Sequence, residues 1–156
     1  MLAVDIPGFG ALRLEHLVLD YNGTLALDGE PLPGVLDAVR ALSSSLTIHV
    51  VTADTFGTAA RRLEGIPCRL SVLPGRDQDA AKRAYVEALG PTRVVCVGNG
   101  RNDRLMLEAA ALGIALVQEE GAAVEALTSA DVVAPGIAAA LSLLANPRRL
   151  VATLRS

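Results

Sequence analysis

"HLVLDYNGTL", residues 16–25, sets the reading of the whole chain. Its first four residues, "HLVL", make an apolar run with the length of a buried strand, and Asp20 stands where that run ends. A Gly-Thr pair follows at 23–24, and residue 22 is an amide, Asn22. Similar apolar runs recur at 46–51, 68–73, 93–97, 113–117 and 131–134. Between them lie stretches with helical spacing, at 34–45, 55–64, 78–89, 102–112, 121–129 and 136–145. Such alternation predicts an α/β, Rossmann-like three-layer fold: a mainly parallel sheet covered by helices on both faces. Upstream, residues 2–6 and 11–19 are β-rich runs separated by "PGFG", which reads as a hairpin or bend and predicts an N-terminal β-hairpin.

The 156 residues suit one domain with a proper core, and no Pro/Gly/Ser linker divides them, so one domain over 1–156 is expected. Apolar residues make up 51% and charged residues 20%, which excludes a disordered chain. A net charge of −3 argues against a nucleic-acid binder. Cys68 and Cys96 are too few for a disulfide framework or a zinc site and read as small hydrophobes in strands. The longest uncharged stretch, 132–147, carries two prolines and is too short for a bilayer. No leader pattern is visible, so a cytoplasmic protein with no membrane partner is expected.

Polar residues fall where buried strands end. Asp20 follows the first, Thr52 the second, and "GNGRND", 98–103, the fourth. In open α/β sheets, ligands bind outside the carboxyl ends of the strands. Each residue also has a plain structural role. Asp20 could cap a turn, but "NGT" adds a Gly for close backbone approach and N–H groups suited to an anion. Thr52 could be an ordinary strand residue or a donor to a phosphate oxygen, and Asp54 could cap a helix beginning near Thr55. Lys82 is the one lysine beside thirteen arginines. That contrast points to a place where a compact ammonium serves and a planar guanidinium does not. Asn99 and Asp103 offer oxygens to a hard cation, or Asn102 and Asp103 simply cap a helix. His16 and His49 lie inside apolar runs and read as core or edge residues of the sheet; Arg61, Arg62, Arg148 and Arg149 read as solvated faces. Arg101 and Arg104 lie near the proposed crevice.

Taken in order, Asp-x-x-Gly-Thr, a Thr after the next strand, a Lys and Gly-x-Gly-x-Asn-Asp resemble the haloacid dehalogenase-like (HAD) phosphohydrolase superfamily. The likeness is nearest to the phosphorylation domain of P-type ATPases and their soluble phosphatase relatives. "DYNGTL" resembles the ATPases' DKTGTL, "TAD" their TGD, and "GNGRNDRLMLEAAALGIAL" with "SADVV" their GDGxND segment and the ADVV beyond it. The likeness spans about residues 16–147.

The resemblance implies a Mg²⁺-dependent phosphatase acting on a phosphorylated small molecule or a bulky phosphosubstrate. Asp20 would be the nucleophile that becomes an aspartyl-phosphate, and the Asn22 carbonyl would ligate Mg²⁺ together with Asp20 and Asn99 or Asp103. Thr52 and Lys82 would hold phosphoryl oxygens; Tyr21, Gly23, Thr24, Ala53 and Asn102 would lie on the substrate side. Two positions depart from the pattern. Most HAD phosphatases carry Asp, as general acid and base, where this chain has Asn22, and most have Asp where it has Asn99. Only 27 residues separate Thr24 from Thr52, and the loops at 25–33 and 73–80 are short, so the core is capless and its site open. Capless relatives act on bulky substrates or borrow a lid from a neighbouring subunit, and the Ala/Leu-rich composition permits a homo-oligomer. The alternative is a phospho-acceptor or regulatory module that holds its aspartyl-phosphate.

Overall fold

Twelve residues after Leu2, at its partner Leu14, the chain has already turned back on itself. A computed structural model, describing residues 1–54 and 56–156, shows β1 (Leu2–Ile6) paired antiparallel with β2 (Gly10–Leu14) through the "PGFG" turn. The single run expected at 11–19 breaks at Glu15, where β2 gives way to β3 (His16–Asp20). The break lets β3 leave the hairpin and join the main sheet: Glu15 N donates to Arg93 O, and Thr47 N donates to Glu15 O.

Beyond β3 come β4 (Ala26–Leu27) and β5 (Glu30–Pro31), a minimal hairpin inside the loop at 25–33. Then α1 (Val35–Leu42), β6 (Thr47–Thr52), α2 (Thr58–Arg62), β7 (Arg69–Val72), α3 (Gln78–Leu89) and β8 (Val94–Gly98) follow. The chain ends with α4 (Arg104–Ala109), β9 (Leu112–Leu116), α5 (Val124–Ser129), β10 (Val132–Ala134), α6 (Ile137–Ala145) and α7 (Arg148–Leu154). The α/β alternation read from the sequence is the observed one. Helix α7 was not expected; Pro147 precedes it and Leu150 is its buried residue.

Six strands form one parallel sheet in the order β10-β9-β8-β3-β6-β7. Side chains of β3 alternate between two apolar layers, as a strand's twofold repeat requires. Leu17 and Leu19 join the layer of β1, β2, α1 and α6, whereas Val18 joins Val86, Met106 and Leu107 on the opposite face. Helix α1 shows how a helix meets this sheet: Val35, Val39 and Leu42 recur at helical spacing and all three are buried. Cys96 is buried in β8, and Cys68 is half-buried just before β7; both are free thiols. His49 is buried and His16 is half-buried at the start of β3: His16 Nδ1 lies 3.1 Å from His49 Nε2, and His49 Nδ1 lies 2.8 Å from the Tyr85 hydroxyl. No helix among the described residues is long and apolar enough to cross a membrane.

Candidate active site

The strand order reverses between β3 and β8. The chain builds outward from β3 through β6 to β7, then returns to lay β8 against the other side of β3. At such a switch point the loops leaving adjacent strands diverge and open a crevice. Asp20 ends β3, and Gly98 ends β8, so both loops open there. Helix α3 makes the return crossing and carries Lys82 into the same place.

Asp20, Lys82 and Asp103 form one buried cluster. Lys82 Nζ donates to Asp20 Oδ1 at 2.7 Å and to Asp103 Oδ1 at 2.6 Å. Lys82 is 1% exposed, Asp103 fully buried, and Asp20 8% exposed. A 3-10 turn at Arg101–Asp103 swings the Asp103 carboxylate back, so that its Oδ2 accepts from Asn99 N at 2.9 Å and Gly100 N at 2.8 Å. Asp103 therefore uses both oxygens within the protein. Asp20 Oδ2 accepts from the Thr24 hydroxyl at 3.4 Å.

Charge within the cluster does not balance, since two carboxylates face one ammonium. Burial pushes the Asp20 carboxyl up, the Asp103 charge pushes it further, and Lys82 only partly offsets them, leaving it at about 7. Burial pulls the Lys82 ammonium down, but the Asp20 and Asp103 carboxylates outweigh it, so Lys82 is held more firmly charged than a free lysine. A cation approaching Asp20 would relieve this excess.

Above the cluster lies a cleft of about 620 Å³, lined in part by Asp20, Tyr21, Asn22, Thr52, Ala53 and Asn99. Asn102 also lines it, held by an Asn102 Nδ2 donation to Gln78 Oε1 at 2.9 Å. Tyr21 is buried and donates its hydroxyl to Gly29 O at 2.8 Å. Thr52 is buried at the end of β6, and its hydroxyl accepts from Asp54 N at 3.3 Å. Gly23 has φ of +79°, and its N–H donates to Ala26 O at 2.8 Å, while Thr24 N donates to Tyr21 O at 3.2 Å. Asp54 does cap a helix: its carboxylate accepts from Ala59 N at 2.8 Å and Ala60 N at 3.2 Å, at the start of α2. The expected start near Thr55 lies outside the described residues. Arg101 pairs with Glu125 and Arg104 with Asp79, and neither arginine lines the cleft.

Oxygen donors suited to a hard divalent cation gather on one side of this cleft. Besides Asp20 they are the Asn22 carbonyl, which accepts no hydrogen bond among the described residues, and the Asn99 side-chain oxygen. Asn99 is 6% exposed, and its Nδ2 donates to Gly121 O at 3.1 Å, which turns the carbonyl oxygen away from that partner. No three Asp, Glu, His or Cys side chains among the described residues converge as a metal-binding group. The reason is local: residue 99 is an amide, and Asp103 faces Lys82. The residues present fit Mg²⁺ as an oxygen set with few charges.

Phe56, Asp28 and Glu120 are among the cleft residues that escaped the sequence reading. Phe56 is 84% exposed at the wall, Asp28 sits on the β4–β5 turn, and Glu120 lies in the loop beyond β9. The strand-end rule that singled out Asp20 and Thr52 applies equally to "VQEEG", 117–121, and would have flagged Glu120.

No family model matches the chain. It is 44% identical over 63 residues to an uncharacterized protein of Methanocaldococcus jannaschii, covering 40% of the chain and 68% of that protein. It is 28% identical over 109 residues to the phospholipid-transporting ATPase NEO1 of Saccharomyces cerevisiae, covering 70% of the chain but 8% of the ATPase. A crystal structure from Streptomyces avermitilis, assigned to the HAD family of hydrolases, superposes with a TM-score of 0.65 at 23% identity, covering 83% of this chain and 82% of that one. The 3-deoxy-D-manno-octulosonate 8-phosphate phosphatase of Moraxella catarrhalis, solved with magnesium, phosphate and KDO, superposes with a TM-score of 0.67 at 14% identity, covering 91% and 87%. The fold is thus the one seen in structures of haloacid dehalogenase-like hydrolases, and Asp20, Thr52, Lys82 and the Asn99–Asp103 loop lie in order at its switch point.

Proposed function

We propose that the chain is a Mg²⁺-dependent phosphoric monoester hydrolase that works through an aspartyl-phosphate on Asp20, built as one capless domain over 1–156. The observation that carries this reading is the Lys82 ammonium, buried between Asp103 and the cleft-lining Asp20 at 2.6 and 2.7 Å. A buried ammonium beside a carboxylate that lines the cleft is an arrangement for bringing an anion to a nucleophile. The magnesium- and phosphate-bound phosphatase of the same fold supports the choice of anion and cation.

Asp20, the Asn22 carbonyl and the Asn99 side-chain oxygen would hold Mg²⁺. When bound, that cation supplies positive charge against the phosphoryl oxygens. Lys82 and Thr52 orient the phosphoryl group, and Lys82 keeps Asp20 aimed. A carboxylate oxygen of Asp20 then bonds to phosphorus as the ester P–O bond breaks, and the departing alkoxide takes a proton from water. In the second step water attacks phosphorus, the acyl-phosphate P–O bond breaks, the water's proton passes to solvent, and phosphate leaves with Asp20 restored. Asp103, held by two backbone N–H groups, serves as the fixed anchor for Lys82.

A second reading is favoured by one observation. Asn22 is exposed in the cleft at the place of the family's acid–base residue, and an amide moves no proton. The phosphoenzyme would then persist, and the domain would act as a slow phospho-acceptor related to the ATPase phosphorylation domain. Phosphate release from p-nitrophenyl phosphate, with Mg²⁺ and with EDTA, tests the first reading. Stoichiometric label retained on Asp20 with no multiple turnover selects the second, and neither release nor labelling overturns both.

A further inference from the structure

We infer that Glu120 supplies the second carboxylate charge of the cation site, in place of the charge that Asn99 lacks. The inference rests on the Mg²⁺ site proposed above and names a residue outside its motifs. Glu120 belongs to the loop that follows β9, one strand beyond β8 in the sheet.

That loop is clamped against the nucleophile's own loop. Gln118 Nε2 donates to Gly23 O at 2.8 Å and to Thr24 O at 2.9 Å, and Gln118 Oε1 accepts from Ile137 N at 3.0 Å. Asn99 holds the other end: its Nδ2 donates to Gly121 O at 3.1 Å, and Ala123 N donates to Asn99 O at 2.9 Å. A tight turn between them, with Gly121 N donating to Gln118 O at 2.7 Å, presents Glu120 to the cleft.

Residue 23 records how close the approach is. A Cβ there would stand 2.6 Å from both Asn99 Nδ2 and Oδ1, and it would also collide with Glu120 Oε2. Thus Glu120 and the Asn99 amide crowd the same point beside the Asn22–Gly23 backbone. Asn99 is nine-tenths buried, and its Oδ1 has no protein partner among the described residues. Glu120 likewise makes no ion pair among them. The other cleft acids are differently placed. Asp54 is engaged by two helix N–H groups, and the Asp28–Gly29 turn stands against Thr58 on the far wall. An unpaired carboxylate whose loop is held next to an uncharged oxygen ligand is what a divalent cation needs when the usual acid is missing, because hard cations reward ligand charge.

Calorimetric titration of the protein with MgCl₂ alone tests this. Glu120→Gln is expected to weaken Mg²⁺ binding by about tenfold or more. Glu119→Gln, a change of equal charge one residue away, is expected to leave it unchanged. Asn99→Asp is expected to tighten binding and to shrink the effect of Glu120→Gln, because either carboxylate then supplies the charge. An unchanged affinity in Glu120→Gln, an equal loss in Glu119→Gln, or no saturable binding by the parent overturns the inference. Should the expected binding pattern appear in a protein that releases no phosphate, Glu120 keeps its role and the hydrolase reading falls.

Discussion

Lys82 Nζ lies 2.6 Å from Asp103 Oδ1 in a pair that water does not reach, and Asp103 is pinned from behind by two backbone N–H groups. The pair is therefore structural in setting. Asp103→Asn would leave the ammonium facing Asp20 alone and disturb the 98–103 loop. Losing a buried hydrogen bond to a charged group costs about 1.5–3 kcal/mol. Urea denaturation is expected to show a loss of that order, together with lost activity. A stability equal to the parent's would mean that Asp103 does not anchor Lys82.

Asp20→Asn is expected to separate these roles. It removes the surplus negative charge and leaves the Lys82–Asp103 pair neutral in sum. Phosphate release should fall to background, because an amide forms no phosphoenzyme, while the thermal midpoint should equal or exceed the parent's. Retained turnover would remove Asp20 from the nucleophile's position.

Lys82→Arg conserves charge but not shape. The ammonium meets two carboxylate oxygens within 2.7 Å, in a site with 1% exposure, which has no room for a planar fork. Activity is expected to drop by about two orders of magnitude or more, the usual scale for losing a preorganised charge. Activity within about twofold of the parent would contradict the tight pocket.

Asn22 should control the second step. Rapid-quench kinetics with p-nitrophenyl phosphate are expected to show a burst of p-nitrophenol ahead of slow turnover, since water attacks the acyl phosphate without a base. Asn22→Asp should shrink the burst and raise the steady-state rate by about 10²-fold. A parent without a burst, with a mutant no faster, would show that residue 22 moves no proton.

His49 gives a stability test away from the site. Burial, then the neighbouring His16 and Arg69, pull its pKa down to about 4. Between that value and the ordinary value near 6.5, the unfolded chain binds a proton that the folded chain refuses. Stability from this group is thus present above pH 6.5 and lost as pH falls toward 4, by up to about 3 kcal/mol. Asp20, raised to about 7, acts with the opposite sign over an overlapping range. The measurement is therefore the difference in unfolding free energy between the parent and His49→Gln. That difference should grow in the parent's favour from pH 4 to 6.5, and a flat difference would refute the assignment.

Much of the site was legible because it obeys position. Asp20, Thr52 and the 98–103 loop each end a strand whose apolar run is plain, and the lone Lys82 stood out by composition. The division of labour within 98–103 was not legible. Asn99 and Asp103 looked alike as oxygen donors, and only the 3-10 turn that folds Asp103 back onto two N–H groups separates them. The β4–β5 hairpin has two residues per strand, too few to show a period. Glu120 could have been flagged by the strand-end rule, but its approach to Gly23 could not, because Gln118 reaches across 95 residues to make that contact.

The central place of β3 also fixes when the site can exist during synthesis. One side of β3 pairs with β6, but the other waits for β8, whose Val94 opposite His16 emerges 78 residues later. A nascent chain that has reached Gly90 already carries Asp20 and Lys82, yet its middle strand still has a bare hydrogen-bonding edge. Such edges recruit other strands, and contacts of this sequence span close slowly. The interval between translating α3 and docking β8 is thus the window in which this protein is most exposed to misassembly, and ribosome-stalled chains ending near residue 90 should bind a holdase chaperone that chains extended past Asp103 release.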